Sequence, residues 1–186
     1  MSDGVELHNL LPDPKPVNAN AWKSGGGKEL TIKMLDGNRL HITNNADIND
    51  SYAYMWLMNV PAGVYRFGAE VSNPQTSFAT NMLRMIKMPA SVELAPARWD
   101  GVPGRIVTPP GELTEDTHVE LRVMVGPQKN SAIWVRQLFV MTEEDYQQMI
   151  NANIDWFDGD SIVRGGGLSP NSLYPHVDRP ALVVVA

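Results

Sequence analysis

The chain contains no cysteine among its 186 residues. Disulfide bonds, zinc sites with thiolate ligands and cysteine nucleophiles are therefore excluded. Long apolar runs are missing too: the apolar end ALVVVA, at 181–186, is far shorter than the roughly 18 residues of a membrane span. The first residues, MSDGVELHNLLPDPKP, lack the basic and apolar regions of a signal peptide, so we expect none there.

Positive charge is also scarce. The sequence has 15 lysines and arginines against 21 aspartates and glutamates, for a formal net charge of −6. Because no run of basic residues reverses this balance locally, we predict neither nucleic acid nor an anionic membrane as a partner. Hydrophobic residues make up 43% of the chain and charged residues 19%, which is typical of a globular domain.

The chain is rich in turn residues, with 15 glycines and 14 prolines, and this favours many short elements. Alternating apolar and polar residues predict strands between the turns, the first two joined as a hairpin around Asp36-Gly37-Asn38. Segment 99–111 is predicted to be a loop. The predicted strands cover 30–34, 40–42, 52–58, 64–71, 78–88, 91–94, 118–125 and 132–141.

A single helix of about ten residues is predicted after the last strand. Thr142 is a suitable N-cap, and two glutamates follow it in the first turn. Tyr146, Met149 and Ile150 recur at helical spacing, so we expect them to form its apolar face.

These elements predict an all-β fold, namely an antiparallel β-sandwich of the jelly-roll type with one short C-terminal helix and an extended tail. A doubly wound α/β fold is not expected, because strands and helices do not alternate. We predict an extended N-terminal segment at 1–22, a sandwich domain at 23–163 and a C-terminal tail at 164–186.

Most of the aromatic residues are predicted to pack in the core. Segment 52–58 is apolar on both of its faces, which is typical of a strand buried on two sides. Tyr52, Tyr54 and Trp56 share one of those faces and are expected in the core. Trp134, on a long apolar strand, is also predicted to be a packing residue.

One tryptophan is predicted to be exposed. Trp99 lies in a polar loop beside Arg98 and Asp100, with Arg105 close by. An exposed indole offers a flat apolar surface to the C–H face of a sugar ring, and charged groups around it can bond to hydroxyls. We therefore predict a ligand or partner contact at these four residues.

Two loops contain oxygen ligands that could hold a metal ion. Asp47, Asn49 and Asp50 form a cluster of the kind that binds structural calcium in β-sandwich domains, with an ordinary polar turn as the alternative. Asp158 and Asp160 flank a glycine, but the further ligands of a calcium loop are missing at the required offsets. We predict no cofactor, with structural calcium left open at the first loop.

No catalytic constellation is present. The four histidines, at 8, 41, 118 and 176, lack the spacing of metal ligands, and no G-x-S-x-G motif occurs. We predict a protein that is not an enzyme, and a glycan-degrading enzyme remains as an alternative.

Three stretches resemble minor tail proteins of phages that infect actinobacteria. They are NLLPDPK, PAGVYRFGAEV and the ordered series IWVRQLFVM, TEEDYQQMI and WFDGDS. The resemblance spans residues 9–161 and implies a galactose-binding-like jelly roll related to carbohydrate-binding modules. In this arrangement, Trp156 and Phe157 are expected to pack back onto the sheet behind the helix.

The resemblance further implies a virion structural protein of the tail tip or a fibre, acting in assembly or host-surface attachment and located in the virion. Its expected partners are other virion proteins, copies of itself as a homo-oligomer, and host cell-wall glycan. After Ser161 the sequence departs from the pattern of these proteins. There we expect the apolar residues Leu182, Val183, Val184 and Val185 to add a strand to a neighbouring subunit. The alternatives are a carbohydrate-binding module and a decoration protein of the capsid exterior.

Overall fold

The computed structural model describes residues 5–12, 16, 18–26, 29–157 and 161–163. One α-helix, α1 (Glu143–Asn151), and a short 3-10 helix (Ala19–Ala21) accompany the strands. The strands are β1 (Val5–Leu7), β2 (Lys23–Gly25), β3 (Leu30–Leu35), β4 (Arg39–Asn44), β5 (Tyr52–Val60), β6 (Gly63–Gln75), β7 (Asn81–Met88), β8 (Val92–Glu93), β9 (Ala97–Arg98), β10 (Gly104–Val107), β11 (Gly111–Leu113), β12 (Thr117–Met124), β13 (Ala132–Thr142) and β14 (Ser161–Val163).

The strands form two six-stranded antiparallel sheets packed face to face. In the first sheet the order is β10-β6-β13-β4-β3, and β11 also pairs with β6. In the second sheet the order is β2-β5-β12-β7-β8, and β9 also pairs with β7. β1 and β14 form a separate antiparallel pair. The predicted jelly-roll β-sandwich with one short helix is therefore confirmed.

The main core lies between the two sheets. Ile42 and Phe67 of the first sheet, and Leu57 and Leu121 of the second, are almost fully buried in one apolar cluster. Each comes from a strand on which alternate residues point to opposite faces. Burying one such side chain contributes about 1.5–3 kcal/mol, so the alternation along each strand favours packing of the two sheets face to face.

Helix α1 begins where the sequence predicts. The Thr142 hydroxyl accepts a hydrogen bond from the Asp145 backbone N–H at 3.1 Å, which caps the helix. Met149 is buried, but Ile150 is 48% exposed, so the predicted apolar face is wrong at that position. Among the described residues no helix has the length and apolar content needed to cross a membrane.

A second small cluster lies beneath α1. Leu7, Phe139 and Met149 pack there with Phe157, and Trp156 packs against them. The indole N–H of Trp156 donates to the Leu138 carbonyl oxygen at 3.0 Å. The predicted return of this aromatic pair to the sheet behind the helix is confirmed.

The predicted loop at 99–111 is wrong in part, because it contains β10 and the first residue of β11. Both strands pair with β6, with Gly104 opposite Val71 and Gly111 opposite Tyr65. Each strand is too short and too polar to show a period of its own. They are extended because their backbones form hydrogen bonds with β6, about 40 residues earlier in the chain. The local sequence does not show a pairing over that distance.

Two predictions about aromatic burial are also wrong. β5 is not buried on both faces: Ala53 and Leu57 point into the core, but Trp56 is 46% exposed. Trp134 is only half buried, on the outer face of the first sheet. Both corrections have one reason: among the described elements, nothing packs over the outer face at these positions.

The predicted boundaries at 1–22, 23–163 and 164–186 stay predictions. Within the first segment, Leu7, Asn9 and Leu11 are buried against the sandwich, and β1 pairs with β14. The segment 164–186 lies outside the described residues.

Candidate ligand-binding site

The predicted contact residues around Trp99 do adjoin one another. Together with Phe78 and Val102 they line an open cleft of about 680 Å³ beside β10. Arg98 and Asp100 are exposed at this cleft. The structure thus brings the residues of the predicted site to one place.

The prediction that Trp99 is exposed is wrong. Its side chain is 4% exposed, and its indole N–H donates to the Val102 carbonyl oxygen at 2.6 Å. Its ring meets Phe78 edge to face, with 5.2 Å between centroids. The loop folds back on the indole and satisfies its donor, so this ring does not offer a free surface to a ligand.

Arg105 is committed to contacts within the protein. Its guanidinium donates to the Gln137 side-chain oxygen at 2.7 Å and to the Asp155 carbonyl oxygen at 3.0 Å. Burial lowers the pKa of Arg105, although the nearby Asp155 carboxylate opposes this change. Arg105 therefore ties β10 to the segment that follows α1.

The candidate calcium loop is organised by protein contacts. Asp47 Oδ1 accepts from the Lys129 backbone N–H at 2.8 Å, and Asp50 forms an ion pair with Arg84 at 2.9 Å. Asn49 is exposed. No group of three or more His, Asp or Glu side chains suited to a metal ion occurs among the described residues. Calcium at this loop stays a prediction.

Two further predicted features, Asp158-Gly159-Asp160 and the apolar residues 182–185, lie outside the described part of the chain.

The outer face of the second sheet carries a row of aromatic side chains that sequence analysis assigned to the core. Tyr52, Tyr54 and Trp56 alternate along β5 on the side opposite Ala53 and Leu57, and Tyr52 also packs against the main core cluster. Trp56 is 46% exposed, and the two tyrosines are half buried. Since residues of a strand are about 3.3 Å apart, the row extends over about 13 Å.

Glu120 fixes the position of the exposed indole. It lies opposite Trp56 on β12, and its Oε2 accepts from the indole N–H at 2.6 Å. Its Oε1 accepts from Arg122 Nε at 2.6 Å. The carboxylate is only 6% exposed, so these charge-assisted bonds form in a largely desolvated place, where they hold both partners firmly.

Arg122 in turn covers Tyr52. The guanidinium carbon lies 4.1 Å from the centre of the Tyr52 ring, a cation–π contact. The same ring lies over the backbone of Gly25, where an added Cβ would be 2.3 Å from a ring carbon. Tyr54 meets Tyr52 edge to face, with 6.1 Å between centroids. Tyr52 is therefore enclosed, and Trp56 is the more open ring of the row.

Charged side chains border this aromatic row. Arg84 lies opposite Arg122 on the neighbouring strand β7 and forms ion pairs with Asp50 and Glu93. Met58, which follows Trp56 on the same face, is 46% exposed. The face thus combines an apolar surface with carboxylates and guanidinium groups, a combination that can bind a ligand with both C–H surfaces and hydroxyls. We call Tyr52, Tyr54, Trp56, Glu120 and Arg122 the aromatic face.

The sequence contains an indication of this face. In the first part of β5, Ala53, Met55 and Leu57 are apolar, whereas the alternate residues Tyr52, Tyr54 and Trp56 each carry a polar group. Tyrosine and tryptophan suit positions where the ring packs on the protein and the polar group reaches solvent. On β12, charged Glu120 and Arg122 mark the outer face in the same way. What the sequence does not give is the pairing that places the two rows side by side.

No protein-family model matches the chain, and no curated protein sequence matches it. Several solved structures are similar to this chain at low sequence identity. The second N-terminal cellulose-binding domain of a Cellulomonas fimi β-1,4-glucanase is 16% identical, with a TM-score of 0.48, and the match covers 73% of this chain and 95% of that domain.

The CBM22-1 xylan-binding domain from Paenibacillus barcinonensis is 9% identical, with a TM-score of 0.48, over 76% of this chain and 97% of that one. The C-terminal CBM6 of a marine laminarinase from Zobellia galactanivorans is 10% identical, with a TM-score of 0.42, over 76% and 100%. Similarity at this level does not transfer a ligand from one protein to another.

Proposed function

We propose that this protein is a non-catalytic glycan-binding module that binds a saccharide chain on its aromatic face. The observation that carries the proposal is the exposed Trp56, held in place by the buried Glu120. Trp56 and Met58 adjoin on one face and are each 46% exposed, so they form a contiguous apolar patch rather than a single exposed residue. Such a patch, with an indole of fixed orientation, suits a ligand that stacks on it.

The polar groups of the face complement the hydroxyls of a sugar. Only Nε of Arg122 is used by Glu120, and its terminal N–H groups have no hydrogen-bond partner within the described structure. These groups can donate to the ring or hydroxyl oxygens of a sugar. The carboxylates of Asp50 and Glu93, which pair with Arg84, can accept from its hydroxyls. A row of rings over about 13 Å suits a chain segment better than a single sugar.

Binding can be measured by isothermal titration calorimetry with neutral soluble polysaccharides, namely β-1,4-glucan oligomers, xylan and laminarin, and with purified bacterial cell-wall glycans. We expect at least one to bind. Trp56→Ala should weaken binding at least tenfold, because it removes the stacking surface worth about 1.5 kcal/mol or more. Tyr54→Ala should weaken it less.

Trp134→Ala is the matched control, because it removes a partly exposed tryptophan from the opposite sheet. It should leave the affinity for neutral glycan unchanged, and circular dichroism should show that every variant is folded. The proposal is overturned if none of these glycans binds, or if folded Trp56→Ala binds as the parent protein does.

A second candidate function is that the module acts on the exterior of a virus particle, as a minor tail, fibre or capsid-exterior subunit. Its support is the order of the motifs NLLPDPK, TEEDYQQMI and WFDGDS. In this setting the aromatic face would bind host cell-wall glycan, and the partners would be other virion proteins and further copies of this chain. The comparisons do not bear on this placement.

The virion placement has its own test. Immunogold labelling and mass spectrometry of purified phage particles should find the chain at a tail or capsid position. Deletion of residues 164–186 should reduce incorporation into particles if the apolar residues 182–185 contact a neighbour. Particles that contain none of this protein would overturn the placement without affecting the glycan-binding proposal.

A further inference from the structure

The outer face of the first sheet holds a second tryptophan-centred cluster. Lys33 lies opposite His41, His41 lies opposite Trp134, and Trp134 lies opposite Ser72, so the four residues cross β3, β4, β13 and β6 in one row. All four are at least partly exposed. The row is on the far side of the sandwich from the aromatic face, because the two faces belong to different sheets.

The indole of Trp134 is held differently from the other partly exposed indoles. Its ring contacts His41 edge to face at 5.9 Å, and the Arg39 guanidinium carbon lies 5.0 Å from its centre. Trp134 Nε1 and His41 Nδ1 are both buried and have no hydrogen-bond partner among the described residues. The indole nitrogens of Trp56 and Trp156, in contrast, each donate to an oxygen. No hydrogen bond therefore prevents Trp134 from adjusting to a ligand.

The positive charge of Arg39 is not neutralised. Its Nε donates to the Asp36 backbone oxygen at 2.8 Å, but no carboxylate of the described chain forms an ion pair with it. Arg136, in contrast, donates to both carboxylate oxygens of Glu70, at 3.0 and 2.8 Å, and this bond raises the Arg136 pKa. The terminal nitrogens of Arg39 thus remain free to bind an anion in a protein whose net charge is −6.

A cleft of about 540 Å³ joins these groups. Trp134 and Arg39 line it together with the turn at Asp36, the Arg136–Glu70 pair and Ser72. Its volume is in the range of sites that hold a small ligand. The cleft offers an aromatic surface, an unpaired guanidinium, and carboxylate and hydroxyl acceptors.

We propose that this cleft is a second ligand site, which binds a saccharide unit carrying a carboxylate or phosphate group. The terminal N–H groups of the Arg39 guanidinium bind the acid group, since their planar arrangement matches the oxygens of a carboxylate or a phosphate. The sugar ring stacks on Trp134, and its hydroxyls donate to Glu70 or Asp36. An acidic peptide fits less well, because several of its carboxylates would meet these two acidic side chains. The site does not depend on the proposed function of the aromatic face.

Titrations with galacturonic acid trimer, mannose 6-phosphate, a neutral mannose trimer and tetraglutamate test the proposal. We expect one or both acidic sugars to bind and the neutral trimer and the peptide not to bind. Comparison of the affinities for galacturonic acid trimer and mannose 6-phosphate shows whether the site prefers a carboxylate or a phosphate. NMR titration of the parent protein with the acidic sugar tests the location without any variant. The amide chemical-shift changes should map to β4 and β13 rather than to β5 and β12.

Arg39→Gln should weaken binding of the acidic sugar roughly tenfold, because a charge-assisted contact is lost. Trp134→Leu should weaken it as well, whereas Lys87→Gln, which removes a positive charge from β7 of the other sheet, should not. The proposal is overturned if neither acidic sugar binds, if the neutral trimer binds as tightly, if only the peptide binds, or if shift changes map to β5 and β12.

Discussion

The side-chain amide of Asn9 donates a hydrogen bond to the Phe157 carbonyl oxygen, with 3.1 Å between Nδ2 and O. The same amide nitrogen donates to the Leu138 carbonyl oxygen at 3.1 Å, and Asn9 Oδ1 accepts from the backbone N–H groups of Leu11 and Val140 at 3.2 Å. Asn9 is fully buried. It thus connects the segment before β2 with β13 and with Phe157, which follows α1.

Asn9→Ala is expected to destabilise the fold by about 3 kcal/mol. The change leaves the Leu11 and Val140 N–H groups and the Phe157 carbonyl without this partner in a buried place, while the Leu138 carbonyl keeps the Trp156 indole N–H. Each unsatisfied group costs about 1 kcal/mol or more. Urea denaturation followed by tryptophan fluorescence measures the effect. Asn45→Ala, at an exposed amide that bonds to the Thr31 hydroxyl, is the control and should change stability by about 0.5 kcal/mol or less. Equal losses in both variants would contradict this role of Asn9.

Gly68→Ala is expected to destabilise the fold by about 2 kcal/mol through overpacking. Gly68 lies opposite Phe139 in the first sheet, and an added Cβ would be 2.2 Å from the end of the Phe139 ring. Thermal unfolding measures the loss. The double variant Gly68→Ala, Phe139→Leu should lose less than the sum of the single variants, because the shorter side chain makes room for the methyl group. Strict additivity would show that the two positions are not in contact.

Glu143→Gln is expected to make stability less sensitive to acid. Arg66 on β6 donates two hydrogen bonds to the Glu143 carboxylate, and this contact lowers the Glu143 pKa below its ordinary value. A lowered pKa in the fold contributes stability above the unfolded pKa, about 4.3, and that contribution is lost as the pH falls through the folded value. The pair is partly exposed, so we expect about 1 kcal/mol.

Urea midpoints at pH 7 and pH 3 test this expectation. The parent protein should lose more stability between the two values than Glu143→Gln. Glu144→Gln is the matched control: Glu144 follows in the same helical turn and bonds to the Gln148 amide rather than to an arginine. If Glu143→Gln and Glu144→Gln behave alike, the Arg66 contact is not the cause.

Glu120→Ala is expected to destabilise the fold by about 2 kcal/mol and to free the indole of Trp56. Arg122, which is also largely buried, would lose its carboxylate partner, and an unpaired buried charge is costly. Time-resolved fluorescence anisotropy should show faster motion of the Trp56 indole, best measured after the other tryptophans are replaced by phenylalanine where the fold allows it. Unchanged anisotropy together with unchanged stability would contradict the anchoring role of Glu120.

Local patterns in the sequence were sufficient for the architecture. The period-two alternation on 118–125 corresponds to β12, and the long, mostly apolar run 132–141 corresponds to β13. Asp36-Gly37-Asn38 is the turn of the β3–β4 hairpin. Thr142 caps α1, as predicted from its hydroxyl side chain and the two glutamates that follow it. These features depend on neighbours a few residues apart, so they are visible in one stretch of chain.

The candidate sites were less visible, because exposure depends on contacts between distant residues. Trp99 stands among polar residues and is nevertheless buried, since its loop folds over it and Phe78 meets its ring. Tyr52 and Trp56 stand among apolar residues and nevertheless lie on an outer face. In each case the local composition indicates the opposite of what the packing produces.

By itself, the sequence determined that the chain forms an antiparallel sandwich with one capped helix, because alternation, turns and caps act over short distances. Only the tertiary structure decided which sides of the sheets remain open. Trp56 meets Glu120, 64 residues later, through the pairing of β5 with β12, and Trp134 meets His41 through the pairing of β13 with β4. The choice of neighbouring strand sets these contacts, and a period-two pattern gives the two faces of each strand but not its partner.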